Sequence, residues 1–434
     1  MTAPGHFRAF SLSRFRDRIA FWGYSVVRSF VLIVVLLACV ASLASAGQFF
    51  PMGVWYEGGV GAFRDDLIPE DPALAAKDYQ RDFSDMAAHG VNAAVVPNTQ
   101  PNHHKVLLDA AAASGVKLIV ELDREGGELG KMVRGSMPYS DSTTRETLDT
   151  KLKPIMNHPA LYGVQLVDEP AMGTYERYAK ISAALEAYAP KLMPFSCLIG
   201  NAPVDSFCKE VKPQAVAFDC YPIGVGHKIG DPAPMLGFDG VANAACVAAA
   251  KYDVPVWAVL QVHSITGIHR FPTPAEIRCM TYLSLANGCK GIWWFLYQTE
   301  YWNKAKNEFM CGFVDQDFKG DARWEEVTKL TAEMRKLTPT LLGLEIANDV
   351  PIKADTAAHV LKDARGHVYV FAVNTNTVAE GKVTLRLDRT AIDSRDPKVT
   401  RLPAMTSIEP SLFGDQVIWS ETLAPGDGAL YQVR

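Results

Sequence analysis

Eight short apolar runs alternate with helical patterns between residue 51 and about residue 344, and this alternation restricts the fold more than any other feature. A strand followed by a helix, repeated many times, is typical of βα units around a parallel sheet. Eight such units in about 290 residues fit a (β/α)8 TIM barrel better than a doubly wound sheet. The predicted strands are Met52–Tyr56, Asn92–Pro97, Lys117–Asp123, Tyr162–Asp168, Met193–Ile199, Ala215–Tyr221, Val256–Val262 and Gly291–Tyr297.

The predicted helices lie between these strands and after the last one. Three of them end at a glycine, Gly90, Gly115 or Gly288, which is a residue that helix C-termini favour. The helices are predicted at Lys77–His89, Lys105–Ser114, Arg145–Met156, Tyr175–Tyr188, Asp205–Val211, Asp239–Tyr252, Pro274–Asn287 and Trp324–Leu337.

After Leu344 the pattern changes to short runs in which apolar and polar residues alternate, with no convincing helix. This pattern predicts a small antiparallel β-sandwich. The predicted strands are Val350–Asp355, Ala358–Leu361, His367–Asn374, Gly381–Leu387, Gln416–Trp419 and Ala429–Val433. We therefore expect a barrel over residues 47–345 and an accessory sandwich over residues 346–434.

The first 46 residues have the pattern of a secretory signal peptide. Five arginines and one aspartate precede an uncharged run, residues 30–46, which ends in Ala44-Ser45-Ala46. A basic stretch, an apolar stretch and a small-x-small site predict cleavage after Ala46. Two alternatives are an uncleaved single-span anchor and acylation at Cys39 in a weak lipoprotein-like box. All three place the body of the protein outside the cytoplasm, secreted or periplasmic.

Composition excludes several classes of protein and leaves a cleft as the place to look for a ligand. A net charge of −5 and 48% hydrophobic residues are typical of a globular protein, and they do not indicate a basic surface for nucleic-acid binding. No Cys-x-x-Cys pair, no histidine pair at zinc-binding spacing and no glycine-rich phosphate loop occurs. We therefore expect no metal and no cofactor. An oxidising compartment would permit a disulfide such as Cys197 with Cys208, although the sequence does not decide pairing or oligomeric state.

Catalytic groups in such a barrel stand at the C-terminal ends of the strands. The most informative end is that of strand four, where a buried run leads directly into Asp168-Glu169-Pro170. Neighbouring side chains on a strand point to opposite sides, so these two acids would have different roles if the strand continued. The alternative is an acid at a helix N-terminus or in a surface ion pair.

Several of these segments resemble known enzymes when they are taken in order. Strand four ends in Asp-Glu-Pro, strand six contains Phe218-Asp219-Cys220-Tyr221-Pro222, strand seven runs from Pro255 to Gln261, and strand eight reads Gly-Ile-Trp-Trp-Phe-Leu-Tyr. This order resembles the (β/α)8 glycoside hydrolases of clan A, and is similar to relatives of the family-five and family-forty-two glycosidases. The resemblance covers roughly residues 51–434, and it implies hydrolysis of a glycosidic bond by two carboxyl groups.

The resemblance implies that Glu169 is the general acid, but the chain departs from the pattern at two positions. Asp168 stands where the clan usually has asparagine, and Gln261 stands where strand seven carries the nucleophilic glutamate. A neutral amide neither attacks an anomeric carbon nor takes a proton from water. The second carboxylate must therefore come from another strand, or the protein has lost hydrolytic activity.

Two acids are the main candidates for the second carboxylate. Asp219 ends strand six beside Tyr221, which could orient it, and its alternative role is a turn-forming acid bonded to the backbone. Glu300 follows strand eight among aromatic residues that could raise its pKa or hold a sugar ring. Its alternative is an exposed loop acid. Glu57 and Glu121 are less favoured candidates, and we expect them to support other residues.

Aromatic and polar residues at the strand ends suit a sugar, because the C–H faces of sugar rings stack on aromatic planes. About half of the aromatic residues should instead face the helices, since neighbours such as Trp293 and Trp294 alternate. The residues predicted to bind substrate are Tyr56, Glu57, Asn98, Asp123, Asp168, Tyr221, Gln261, His263, Trp294 and Tyr297.

The sequence thus predicts an exported glycosidase that binds a carbohydrate and meets a membrane only through an N-terminal anchor. Glu169 would be the acid, with Asp219 or Glu300 as base or nucleophile. One rival is a carbohydrate-binding barrel without catalysis, which Gln261 favours and the Asp168-Glu169 segment disfavours. A second rival is a barrel hydrolase that acts on an ester or amide.

Overall fold

The computed structural model describes residues 49–57, 68–122, 127–392 and 394–434. The predicted export segment and Asp123 lie outside the described residues. Residues from Phe50 to Arg434 form one compact unit that contains both the barrel and the C-terminal sheets.

Parallel strands form the barrel, as the sequence predicted. The fifth strand is interrupted at Ser196, and its first segment pairs with strand four while its second pairs with strand six. The interrupted strand therefore links the two edges of the sheet and closes the ring. The barrel strands are Met52–Trp55, Ala93–Val96, Lys117–Glu121, Leu161–Gln165, Met193–Phe195 with Cys197–Ile199, Val216–Cys220, Val256–Gln261 and Gly291–Phe295.

Helices lie between successive barrel strands and begin with recognisable caps. Asp71 accepts the backbone N–H of Ala73, and Thr273 and Glu276 form a capping box. The helix predicted at Arg145–Met156 instead begins earlier and ends in one π-turn, Leu148–Leu152. The α-helices are Pro72–Ala88, His104–Ser114, Gly127–Arg134, Asp141–Thr147, Tyr175–Tyr188, Val204–Val211, Ala233–Ala250, Pro274–Ala286 and Ala322–Leu341.

Judged only by its length and composition, helix Ala233–Ala250 could cross a membrane. In the structure it packs among the barrel helices, with Met235 and Phe238 fully buried. Its apolar character therefore has an explanation within the barrel.

Aromatic rings fill the inside of the barrel, and glycines make room for them. A Cβ on Gly53 would lie 2.2 Å from the ring of Trp293, so strand one passes this ring only because it has glycine there. Trp293 packs in turn against Phe195 and Trp257, with ring centroids 6.1 Å and 5.6 Å away. The barrel is therefore packed below its mouth.

Two elements near the mouth were not predicted from the sequence. One is the helix Gly127–Arg134. The other is a three-stranded antiparallel sheet of Ser264–Ile265, Glu300–Asn303 and Glu308–Cys311. This sheet joins the loops that follow strands seven and eight, so it lies beside the mouth.

Two antiparallel sheets form the C-terminal sandwich around their own apolar core, which includes Val370, Leu385 and Trp419. The six-stranded sheet has the order Leu344–Ile346, Ala357–Asp363, Val368–Val373, Gly428–Val433, Val399–Leu402 and Thr406–Ile408. The four-stranded sheet has the order Ile352–Ala354, Gly381–Asp388, Gln416–Leu423 and Ser411–Phe413.

Barrel and sandwich are joined mainly through helix Pro274–Ala286. Arg278 on this helix binds Glu326 at 2.5 Å and Glu333 at 2.8 Å in the last helix, and Asp427 in the sandwich at 3.0 Å. Because Arg278 is nearly buried, this network is only weakly screened by solvent.

Candidate functional site

Acidic side chains gather at the mouth of the barrel, where the strands end. Three of them come from the interior face of strands one, three and six, and two follow strand four. These five residues are Glu57, Glu121, Asp168, Glu169 and Asp219.

Glu169 has a left-handed backbone, with a φ of 46°. A residue with a Cβ rarely adopts this conformation, and such strain clusters at functional sites. Its backbone N–H donates to the carbonyl of Cys197 at 3.0 Å, which ties the turn to strand five. Strand four has already ended at Gln165, so the alternation expected for Asp168 and Glu169 does not apply.

The carboxyl groups of Asp219 and Glu169 interact electrostatically. Burial and the neighbouring carboxyl group of Glu169 raise the pKa of Asp219 to about 8, while the hydroxyl of Tyr221 acts in the opposite direction. Asp219 therefore holds a proton at neutral pH. The pair can act as one acid with a shared proton.

Asp168 is reached by water, but protein atoms surround it on most sides of the mouth. This desolvation, together with the charges of Glu169, Glu57 and Glu121, raises its pKa to about 7. The guanidinium of Arg134 favours the charged form and opposes the shift. Asp168 is therefore poised to change its protonation state near neutral pH.

Asn98 connects the carboxylates of strands one and three. Its backbone N–H donates to Glu121 at 2.8 Å and its side-chain amide donates to Glu57 at 3.3 Å. Asn98 has a φ of 56°, which asparagine tolerates better than most residues. The structure thus brings three predicted residues together on the side of the mouth formed by strands one to three.

An aromatic wall lies on the strand-six and strand-eight side of the mouth. The ring of Tyr221 stacks on Phe295, with centroids 5.5 Å apart, and His263 meets Tyr221 edge-on at 4.7 Å. Tyr221 and Phe295 are partly exposed, so a ligand can reach them.

His263 is fully buried behind this wall. Its Nδ1 lies 3.0 Å from the carbonyl of Phe295 and its Nε2 lies 3.1 Å from Nδ1 of His269. The carbonyl can only accept, so Nδ1 of His263 carries the hydrogen, and Nε2 accepts from His269. Burial lowers the pKa of His263 to about 3, so it stays neutral and supports the wall.

Gln261 ends strand seven, yet its amide is engaged by the backbone of two loops. Its Oε1 accepts from the N–H of Ile223 at 2.8 Å, and its Nε2 donates to the carbonyl of Ile223 at 3.0 Å. Its Nε2 also lies 3.4 Å from the carbonyls of His263 and Arg270. Gln261 is fully buried, so its side chain connects these two loops and is not exposed in the mouth.

Three aromatic residues predicted to bind substrate face the helices, which corrects that prediction. Tyr56 donates to Asp82 at 2.6 Å, Tyr297 donates to Asp85 at 2.8 Å, and Trp294 is buried in the core between strands and helices. Their neighbours Trp55, Trp293 and Phe295 take the interior positions instead, because side chains alternate along a strand.

Glu300 lies in the three-stranded sheet beside the mouth, and its side chain is buried. It is not among the charges that act most strongly on Asp168 or Asp219. Asp219, by contrast, interacts electrostatically with Glu169.

Two residues of the site, Phe295 and Arg134, were not predicted from the sequence. Phe295 was hidden in an aromatic run, in which only the register of the strand distinguishes wall from core. Arg134 lies on the helix that was not predicted, and no local motif marks it. Among the described residues, no group of three or more acids, histidines or cysteines is arranged to hold a metal ion.

A separate cavity of about 560 Å³ opens beside the three-stranded sheet. It is lined by Phe271, Phe309 and Arg323 among others, and by none of the five carboxyl groups at the mouth. The five carboxyl groups at the strand ends therefore lie outside this cavity.

Comparison with solved structures agrees with this architecture. A catalytic mutant of a GH42 β-galactosidase from G. stearothermophilus superposes with a TM-score of 0.61 at 9% identity, covering 89% of this chain and 98% of that one. A second structure, described as a glycoside hydrolase, gives a TM-score of 0.56 at 11% identity, covering 89% of this chain and 92% of that one. No protein-family model and no curated protein matches the sequence. The chain therefore has the clan A-like (β/α)8 fold of glycoside hydrolases, with a C-terminal β-sandwich.

Proposed function

We propose that this protein is an exported glycoside hydrolase that cleaves O-glycosidic bonds with carboxyl groups. The observation that carries the proposal is the interacting pair of carboxyl groups of Glu169 and Asp219 at the mouth of a glycosidase-fold barrel. Export is proposed from the signal-like pattern of the first 46 residues, and the N-terminal sequence of the protein recovered outside the cell tests it.

Glu169 is the group that donates to the leaving oxygen. It is exposed in the mouth, whereas Asp219 is buried behind it with the raised pKa. Asp219 therefore keeps a proton on the pair at neutral pH, and Glu169 delivers it. The strained backbone of Glu169 and its hydrogen bond to Cys197 fix the direction of delivery.

Asp168 is the second carboxylate of the proposal. A glycosidase needs its two carboxyl groups roughly 5 Å apart for retention or 6.5–9.5 Å apart for inversion. Proton donation is assigned to Glu169 together with Asp219, so the second carboxylate is another group. Asp168 is accessible, and its pKa of about 7 leaves a carboxylate available at neutral pH.

Variants of Glu169 and Asp168, each assayed on natural linkages and on an activated glycoside, test these roles. A panel of aryl glycosides and oligosaccharides identifies the sugar, and NMR of the first product anomer gives the stereochemistry. Glu169→Gln should lose roughly 10²–10⁴-fold in turnover on natural linkages, but less on a dinitrophenyl glycoside, whose leaving group needs no proton. Asp168→Asn should lose activity on both. Glu176→Gln, an exposed acid paired with Lys180, is the matched control.

A carbohydrate-binding protein without catalysis is the second candidate. Gln261 favours it, because strand seven ends in a neutral amide whose oxygen and nitrogen are both hydrogen-bonded to the backbone of Ile223. Binding of an oligosaccharide by calorimetry, without product after long incubation at any pH between 5 and 9, would select this alternative. Equal turnover by the parent and Glu169→Gln on natural linkages would remove Glu169 from the mechanism.

A further inference from the structure

Exposed apolar side chains border the mouth of the barrel. Among the described residues, ten large apolar side chains of the barrel are exposed, and only Tyr252 lies at the opposite end. Leu74, Ile199 and Leu236 begin helices or end a strand on the mouth side. The other six lie in the loops after strands four, six, seven and eight, and we call them the apolar rim: Met172, Val225, Ile229, Ile268, Phe271 and Trp302.

The rim is held in place by backbone contacts between loops. The N–H of Val225 donates to the carbonyl of Ile268 at 3.0 Å, and Gly224 forms a β-bridge with His269. His269 contacts Tyr221 in the aromatic wall, with ring centroids 6.2 Å apart. The part of the rim that follows strands six and seven is therefore connected to the aromatic wall of the mouth.

We propose that the substrate is a glycolipid and that the apolar rim docks on the lipid surface that carries it. The proposal rests on the proposed function, because the glycosidic bond must reach Glu169. Most rim residues are aliphatic, and Ile229 is 60% exposed. Aliphatic side chains suit acyl chains, whereas sugar polymers are recognised by aromatic planes.

The polar residues of the rim loops fit the headgroup region of a bilayer. Trp302 is 45% exposed, and tryptophan prefers the boundary between lipid and water. Lys228 and Lys306 are exposed in the same loops, three and four residues from Val225 and Trp302. Their ammonium groups can reach the phosphates of lipid headgroups.

A second copy of this chain suits the rim less well. The rim borders the mouth on the side of strands four to eight, so a stable protein partner on it would cover the residues that must meet the substrate. A lipid surface delivers the substrate to the same place that it covers. The position of the rim beside the mouth therefore favours a lipid surface.

Fluorescence with the full chain tests the docking step without knowledge of the sugar. Vesicles of equimolar phosphatidylcholine and phosphatidylglycerol, with brominated acyl chains on the former, quench tryptophans that enter the bilayer. We expect the parent to be quenched more strongly than Trp302→Phe. Every other tryptophan in the described part of the chain is buried, so the difference between the two proteins reports Trp302. Equal quenching would overturn the proposal, whatever the catalytic activity is.

Hydrolysis tests the substrate class once the panel has identified the sugar. The triple variant Val225→Ser/Ile229→Ser/Ile268→Ser should lose roughly tenfold or more in turnover of a vesicle-borne glycolipid, yet keep turnover of a soluble aryl glycoside of that sugar. The control Leu412→Ser/Phe413→Ser removes two exposed apolar side chains from the sandwich. It should change neither rate.

Three results separate the failures. Loss of soluble turnover in Glu169→Gln with equal quenching in the parent and Trp302→Phe keeps the proposed function and rejects lipid docking. Trp302 quenching without any hydrolysis keeps docking and rejects the proposed function. A parent that sediments as a dimer, which the triple variant dissociates without Trp302 quenching, assigns the rim to a second copy and rejects a lipid surface.

Discussion

The carboxyl groups of Glu169 and Asp219 interact electrostatically, although they follow or end barrel strands that are not neighbours. Strand five lies between them, and it is interrupted at Ser196. Glu169 reaches across because its left-handed backbone is anchored to Cys197 on the second segment of that strand. A local distortion of two strands therefore creates the pair.

The interaction has a direct consequence for protonation. Two interacting carboxyl groups are not both ionised without a penalty, so one of them keeps its proton. Burial assigns the proton to Asp219, whose buried Oδ1 has no hydrogen-bond partner in the described structure. The protonated pair is thus a property of the resting protein.

The rate of hydrolysis should depend on pH as a bell. Activity should rise as Asp168 ionises near pH 7 and fall as Asp219 loses its proton near pH 8. The measurement is kcat/KM between pH 5 and 10 on the sugar found by the panel. Asp219→Asn should remove the basic limb from its residual activity, and a parent profile that is flat from pH 6 to 9 would contradict the assignment.

Stability should also depend on the proton of Asp219. Its pKa is raised from 3.8 to about 8, so the folded state binds this proton more tightly than the unfolded state. The stability that this proton contributes is fully present below about pH 4, and is lost as the pH rises to 8. The parent should therefore lose free energy of unfolding between pH 4 and pH 9, whereas Asp219→Asn should not. The difference in free energy of unfolding between Asp219→Asn and the parent should shift by about 1 kcal/mol or more in favour of the variant from pH 4 to pH 9.

Urea unfolding of both proteins at pH 4 and pH 9 measures this gain. Asp205→Asn is the control, because Asp205 is an exposed partner of Lys251 and its pKa is lowered. It should give no gain at pH 9. An Asp219→Asn protein that follows the parent at both pH values would show that Asp219 is ionised at neutral pH.

The barrel could be predicted from the sequence because each strand is a short apolar run bounded by polar residues. Strand six was predicted at Ala215–Tyr221 and is observed at Val216–Cys220. The prediction for strand four was longer than the strand itself, which ends at Gln165. Apolar residues continue through Leu166 and Val167 after the regular strand has ended, and composition does not reveal where a strand ends.

The lining of the site was predictable only in part, because it depends on register and on distant partners. Trp293 and Trp294 are the same residue type on one strand, so nothing local shows which of them faces the interior. The backbone partner of Gln261 is Ile223, which is distant in sequence. The acids of the mouth were found because the strand ends of a barrel converge, which is a property of the fold.

Restoring an acid at strand seven should not create an active enzyme. Gln261→Glu removes the amide that donates to the carbonyl of Ile223 and buries a carboxylate in its place. We expect a loss of roughly 2–4 kcal/mol in the free energy of unfolding, with no gain in activity. Thermal unfolding and the glycoside panel measure the two effects. Gln261→Met keeps the volume of the side chain but leaves the backbone groups unpaired, so it should be destabilised to a similar degree. A Gln261→Glu protein with higher activity than the parent would show that Gln261 occupies a nucleophile position open to substrate.

Oxidation should join Cys246 to Cys289. Their sulfur atoms lie 3.6 Å apart, and both side chains are buried between helix Ala233–Ala250 and the start of strand eight. No such contact joins Cys197 and Cys208, the pair that the sequence permitted, in the described structure. Refolding with oxidised glutathione should therefore produce a Cys246–Cys289 disulfide, with the two electrons and two protons passing to glutathione, and raise Tm by roughly a few degrees. Peptide mapping without reduction identifies the bond. Cys289→Ser should abolish both the crosslink and the gain in Tm, whereas the control Cys208→Ser should keep both. A peptide that contains a Cys197–Cys208 disulfide in the oxidised parent would contradict the assignment.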